Sequence, residues 1–421
     1  MKFYLIILLY LTFVVPFFGQ NPSVSPTPQP SASPEKTRTK NFGSSLKKYE
    51  NKKRRNSQER SKSEKQKSSD SDDDEIIRVE TDLVVNDVLV TNEKGNVILG
   101  LKKDDFIVTE DGVPQTIEMF SAGENASVPR SIVLIIDDAP GQKPYLPMSI
   151  KAAKALVDKL APQDKMAIVT VDVKLQQDFT QDKALLKKHW IRLKKRDPWL
   201  VRNIEFDALV AVLNEMFDEE DRQRIVIFQG DGSHAMWLKP DKDTPYQVAY
   251  STLERSGLRY TKYVPKIGFS DVREAIERSR TTIYSIMPGV RFLGLSKKER
   301  LERAKKTIAN RSKTFGYEKI LPELIKEYQY AEADRVTAGQ TAMFKVAELS
   351  GGFASFLENP EDAESIYEDI FTVIKNRYLI GYYPTNQKRD GKRREVKIQV
   401  RNHLEYTVTG RRAYFPPMEE K

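Results

Sequence analysis

The sequence predicts an α/β fold, a doubly wound, mostly parallel sheet, beside a sandwich-like β module built from N- and C-terminal strands. Three observations predict it. Unbroken β-branched runs such as Ser131–Ile136 and Arg224–Gln229 suit strands buried on both faces, as in the interior of a parallel sheet. These runs alternate with amphipathic helical stretches at the spacing of strand–helix–strand units. Short β-branched and aromatic segments with turn signals, but no helices of their own, lie before residue 127 and after residue 377.

The chain has 421 residues, 69 Lys+Arg against 60 Asp+Glu, and no cysteine. Zero cysteine excludes a disulfide framework, thiolate metal sites and a cysteine nucleophile. The three histidines, His189, His234 and His403, are too scattered for a histidine-rich metalloenzyme. Lys2 followed by the apolar run Phe3–Phe18 reads as an export signal or a retained N-terminal anchor over 1–20. The expected location is therefore outside the cytoplasm: periplasmic, secreted, or held at the membrane by that segment. Residues 21–75, Pro/Ser-rich and then basic and acidic, are expected to be a disordered tether. Positions 36–67 hold 13 Lys/Arg against three Glu, a net of +10; with the acidic run that follows, residues 1–75 sum to +5 of the chain's formal +9. The high isoelectric point is thus no sign of a nucleic-acid partner. It allows weak contact of 36–67 with an anionic membrane or cell-wall polymer.

An N-terminal β module is expected over 76–127, opening on the alternating Ile77–Leu83, with Glu110-Asp111-Gly112 as a hairpin turn. The α/β domain is expected over 128–376. Its strands are Ser131–Ile136, Met166–Val171, Arg224–Gln229, Thr281–Ile286 and Phe353–Phe356. Helices are expected through Ile150–Leu160, Asp182–Leu193, Phe206–Phe217, Asp271–Arg280, Val336–Leu349 and Asp362–Lys375. Two inserts interrupt it, an irregular aromatic one near 235–268 and a charged helical one near 295–333. Strands Tyr378–Tyr383, Glu395–Val400 and Tyr406–Tyr414, within 377–415, are expected to pair with the N-terminal module.

The residues then resemble a family. An apolar strand ending in Asp137, a helix opened by Asn203-Ile204-Glu205-Phe206-Asp207-Ala208-Leu209, and a strand closed by Asp231-Gly232 are similar to a von Willebrand factor type A domain. The flanking motifs from Asp82 to Val90, Gly100 to Phe106, Glu110 to Gln115, Tyr378 to Pro384 and Arg411 to Phe415 resemble the exported bacterial VWFA-related proteins. The resemblance implies a metal-ion-dependent adhesion site with Asp-x-Ser-x-Ser after the first strand, a Thr before the third helix and a later Asp. Here Ala139 and Gly141 stand at the serine positions and Asn203 at the threonine position, so three hydroxyl ligands are gone. What remains is Asp137, Asp138, Asn203 and Asp231, a weakened or lost site for Mg²⁺, an ion that needs hard oxygen donors. The expected cofactor is none, or Mg²⁺ at this remnant.

No catalytic residues are expected: there is no phosphate-binding glycine loop, no Gly-x-Ser-x-Gly elbow and no His-Glu-x-x-His. The expected function is an exported, non-catalytic, adhesion-type protein-binding module. Its unidentified protein ligand would be met by loops 138–147, 197–205 and 231–240, through Gln142, Tyr145, Trp199, Arg202 and Trp237. The alternatives are a metal-dependent enzyme or sensor using Asp137, Asp138 and Asp231, and a structural envelope protein tethered by its basic segment. Trp190 is expected in the core.

Overall fold

The computed structural model describes residues 38–39, 41–49, 83–122, 128–197, 200–218, 222–245, 265–315 and 322–418, without the side chains of 310–328. The export segment 1–20, most of the tether, Ile77–Asp82 and Trp199 lie outside the described residues. No helix among the described residues is long and apolar enough to cross a membrane.

In chain order the strands are β1 (Val84–Thr91), β2 (Phe106–Glu110), β3 (Val113–Gln115), β4 (Ile117–Ala122), β5 (Arg130–Ile136), β6 (Lys165–Thr170), β7 (Lys174–Thr180), β8 (Gln223–Gln229), β9 (Thr282–Pro288), β10 (Ala354–Leu357), β11 (Tyr378–Tyr382), β12 (Arg394–Val400), β13 (Thr407–Thr409) and β14 (Ala413–Tyr414). The α-helices that build the body are α1 (Leu146–Lys159), α2 (Lys183–Lys195), α3 (Glu205–Glu215), α4 (Phe269–Ser279), α5 (Lys297–Phe315), α6 (Pro322–Ser350) and α7 (Ala363–Lys375).

Six strands form the central sheet in the order β10-β9-β8-β5-β6-β7, parallel except for β7. All seven residues of β5 are buried because both faces are covered. Val133 and Ile135 meet α3, α4 and α6 on one face, while Ile132, Leu134 and Ile136 meet α1, α2 and α7 on the other. Trp190 of α2 is in the second of these cores, as expected. The sheet is doubly wound, with helices on both of its faces.

The two chain ends build the second body together. One sheet runs β13-β1-β11-β4 and the other β14-β12-β2-β3. The C-terminal β11 lies between the N-terminal β1 and β4, with Ile380 opposite Asn86 on one side and Phe120 on the other. Phe106, Phe120 and Tyr378 cluster in its core with ring centroids 5.2–5.9 Å apart. The buried Glu110 carboxylate accepts from Tyr382 (2.9 Å), Tyr414 (2.8 Å) and Arg394 (3.2 Å), so a buried charge is paired and fully engaged.

Several expectations are corrected. Residues 41–49, placed in a disordered tether, dock on the α/β body: Leu46 and Tyr49 enter the core beside α3 and α4. The Glu215 carboxylate accepts from the backbone N–H of Gly43 and of Ser45, each at 2.8 Å. Phe42, Leu46 and Tyr49 recur at helical spacing within an otherwise polar stretch, and that stripe makes the docking possible. β7 went unanticipated because an edge strand buries only part of itself and reads as polar. The charged insert holds α5 and the first turns of α6, and α6 runs on without a break through the helix expected at Val336–Leu349; α5 and α6 pack together around Phe292, Ala304 and Ala333. The expected single strand Tyr406–Tyr414 divides near Gly410, pairing first with β1 and then with β12 in the other sheet.

Candidate functional site

The parallel strands deliver their following loops to one edge of the sheet, where ligands of such folds are received. β5 leads into Asp137, β8 runs into Gly230-Asp231-Gly232, and α3 begins with Glu205. One carboxyl oxygen from each of Asp137, Glu205 and Asp231 lies within 4.8 Å of the others. Asp137 Oδ1 accepts from Ala139 N–H (2.9 Å), and Asp231 Oδ1 accepts from Ser233 N–H (2.8 Å), so each strand end is tied into its own turn. Glu205 Oε1 accepts from His234 N–H (3.0 Å), while its Oε2 is buried without a hydrogen-bond partner. Gly230 makes room for that oxygen, since a Cβ there would collide with it.

Charge strain follows from this crowding. Burial first, then Asp231 and Glu205, hold the Asp137 carboxyl well above its usual range. Burial and Asp231 push Glu205 up to about 8. Two buried carboxylates, Asp137 and Glu205, crowded by the half-buried Asp231 are costly to charge, and they are relieved either by protons or by a cation. The donor set fits a hard divalent ion: three carboxyl groups, one with an unused buried oxygen, beside the Ser233 hydroxyl and the Asn203 amide. Asn203 Nδ2 donates to Asp137 Oδ2 (3.1 Å) and Ser233 Oγ (3.0 Å). Turning that amide would offer its oxygen to the same point.

The sequence reading and the geometry differ at two residues. Asp138 does not join the cluster; Arg196 holds it at 2.8 Å and also engages Asp172. Glu205 takes its place, and sequence reasoning missed it. A signal existed: Ala208–Leu213 leaves α3 apolar on every side, so a charge in its first turn must be buried. Asp137 and Asp231 lie together with Glu205, and Asn203 donates to Asp137. Of the expected partner contacts, Arg202 is exposed, Tyr145 and Trp237 are half-buried, and Trp199 lies outside the described residues. Gln142 is buried and cannot meet a partner. Leu200, 80% exposed beside Arg202, is an apolar rim residue the reading overlooked.

The neighbouring Ser233 and His234 do not form a catalytic pair. Ser233 Oγ is bound by Asn203, whereas the buried His234 ring stacks on Phe206 and accepts from Phe206 N–H at 3.4 Å. Burial, then Arg202, lowers His234 to about 3, which keeps it neutral.

No protein-family model matches the chain, and comparison with curated proteins finds no match. Among solved structures, the chain is similar to an aerotolerance-related membrane protein from Bacteroides fragilis carrying multiple mutations to serines. That match has 12% identity over 58% of this chain and 98% of the other, with a TM-score of 0.30. It is also similar to the conserved hypothetical protein BatB from Bacteroides thetaiotaomicron, at 13% identity over 58% and 99%, TM-score 0.31. A third is the vWF domain of the type V pili tip protein Mfa5 from Porphyromonas gingivalis, at 12% identity over 59% and 96%, TM-score 0.34.

Proposed function

We propose that this chain is an exported, non-catalytic protein-binding module of the VWFA-related kind, with a rebuilt rather than a lost cation site. The observation that carries it is the convergence of Asp137, Glu205 and Asp231 at the carboxyl edge, with one Glu205 oxygen left unpartnered. Glu205 brings a third carboxylate where the family pattern places hydroxyls. A bound divalent cation would supply a positive, oxygen-seeking centre at the edge of the sheet. Asp137 and Asp231 would orient it from the strand ends, and Asn203 and Ser233 would complete the polar wall. Exposed Leu200 and Arg202 form the rim a protein ligand would touch. The occupied hydrogen-bonding groups of Ser233 and His234 support a binding rather than a hydrolytic role.

Calorimetric titration of chelator-treated protein with Mg²⁺, Ca²⁺ and Mn²⁺ tests the site. Saturable binding of at least one ion, lost in Glu205→Gln, is expected. Absence of binding by all three overturns the cation reading. Crosslinking capture from the native envelope should yield a partner whose recovery falls in a Leu200→Asp/Arg202→Glu variant. Divalent-ion-dependent turnover of a substrate would instead favour the enzyme alternative.

A further inference from the structure

On the β-sandwich, two strand edges lack partners and face the same hollow. β12 pairs with β2 along Val396–Val400, but its other edge meets β14 only at Arg394 and Glu395. Asp111 N–H donates to Glu395 C=O on the β2 side, and Val396 N–H donates to Arg412 C=O on the opposite side. Antiparallel alternation then turns the N–H and C=O of Ile398 to the same side as those of Val396. β13 runs beside that edge without laddering to it, and His403 N–H donates to Val400 C=O, so between the Val396 and Val400 contacts the main chain of Ile398 is left without a strand partner among the described residues. β13 is the end strand of its own sheet and pairs with β1 alone. The gap exists because the chain changes sheets near Gly410 and so splays β13 from β12. It encloses about 350 Å³, and a second hollow of about 210 Å³ shares Gly410 and Arg412 and reaches Phe344 of α6.

The lining selects what could fill it. Lys397 is exposed and forms no ion pair among the described residues. Arg412 is 67% exposed at its side chain even while touching Glu348. Arg411 is buried, donates to Val85 C=O, and has an Nη1 without a partner. Glu395 is the one acidic residue in the larger hollow, so its charge is net positive. Leu404, 88% exposed, stands at its lip.

We propose that this groove receives an extended, acidic segment of a partner protein by β-strand addition. The main chain of Ile398 on β12 and the outer edge of β13 supply the hydrogen bonds, Lys397, Arg411 and Arg412 select carboxylates, and Leu404 and Phe344 accept interleaved apolar side chains. This surface is separate from the carboxylate cluster, and neither depends on the other.

The test uses the full chain and a labelled Glu-Val-Glu-Val-Glu-Val peptide in fluorescence anisotropy, with Lys-Val-Lys-Val-Lys-Val as control. Saturable binding of the acidic peptide alone is expected, weakening as salt is raised to about 0.15 M. The double variant Lys397→Glu/Arg412→Glu, whose side chains are exposed, should melt like the parent and bind about tenfold or more weakly. Ile398→Pro should abolish binding by deleting the edge donor; if it fails to fold, the charge variant decides. No saturable binding, equal binding of both peptides, or indifference to charge reversal overturns the proposal. A concentration-dependent dimer that charge reversal dissolves also overturns it, since the occupant would then be a second copy.

Discussion

Replacing Glu205 with Gln removes one ionisable group from the cluster and keeps its shape. Burial and Asp231 raise this carboxyl from 4.5 to about 8. Each pH unit between the folded and unfolded values is worth about 1.4 kcal/mol, so ionised Glu205 costs the metal-free fold on the order of 5 kcal/mol. The sign follows from which state holds the proton more tightly. The folded value is the higher one, so there is no penalty below about 4.5. Stability then falls as pH rises from there through about 8. Gln has no such slope, although Asp137, also raised, leaves a residual one in both proteins. Urea unfolding with chelator present should therefore show Glu205→Gln near parental stability at about pH 5 and several kcal/mol more stable at about pH 8. A divalent cation narrows the gap: at about 100 Kd it adds roughly 2.7 kcal/mol to the parent and little to the variant, about half of the difference at the higher pH. If the variant gains nothing at the higher pH without metal, or if cations stabilise both equally, the electrostatic account of this site is wrong.

Glu215→Ala removes a carboxylate that accepts from two backbone N–H groups; it should weaken docking of 41–49 by about 1–3 kcal/mol, read as faster hydrogen exchange there. Leu46→Ala should act in the same direction, with an unchanged exchange rate for 41–49 refuting the docked arrangement. Gly339→Ala sets a Cβ 2.6 Å from the Asp231 carbonyl oxygen; melting should drop by the equivalent of about 1–3 kcal/mol, and calorimetric cation affinity should fall with it. Deleting 378–421 withdraws β11 from between β1 and β4, so limited proteolysis between 83 and 122 should accelerate sharply; equal resistance would show that the N-terminal strands stand alone.

Much of the architecture was legible because burial writes itself into periodicity. Ile132–Ile136 is apolar at every position because a central strand is covered on both faces, and its β-branched residues favour a strand over a buried helix. Asp137 and Asp231 were legible as site residues for a related reason: each follows such a run, at the edge where the strand leaves the core. The amphipathic stripe through Ile366, Ile370 and Ile374 likewise placed α7 on the sheet. The sandwich was inferred from insufficiency, since neither end of the chain had enough strands for a two-sheet core.

The sequence by itself thus determined the layers, the strand–helix alternation and the edge at which the acidic residues collect. Those features depend on local hydrophobic spacing, which a linear string preserves. Only the tertiary structure decided which carboxylates meet. Asp138 is adjacent to Asp137, yet Arg196, 58 residues away, draws it off; Glu205, 68 residues on from Asp137, enters instead. The same holds for Leu46 and Tyr49, whose apolar stripe had no visible destination until α3 and α4 were folded beside it. It holds too for Ile398, whose free edge exists because its partner strand crosses to the other sheet at Gly410. Electrostatic partners and vacant strand edges are set by distances through space, and no spacing along the chain encodes them.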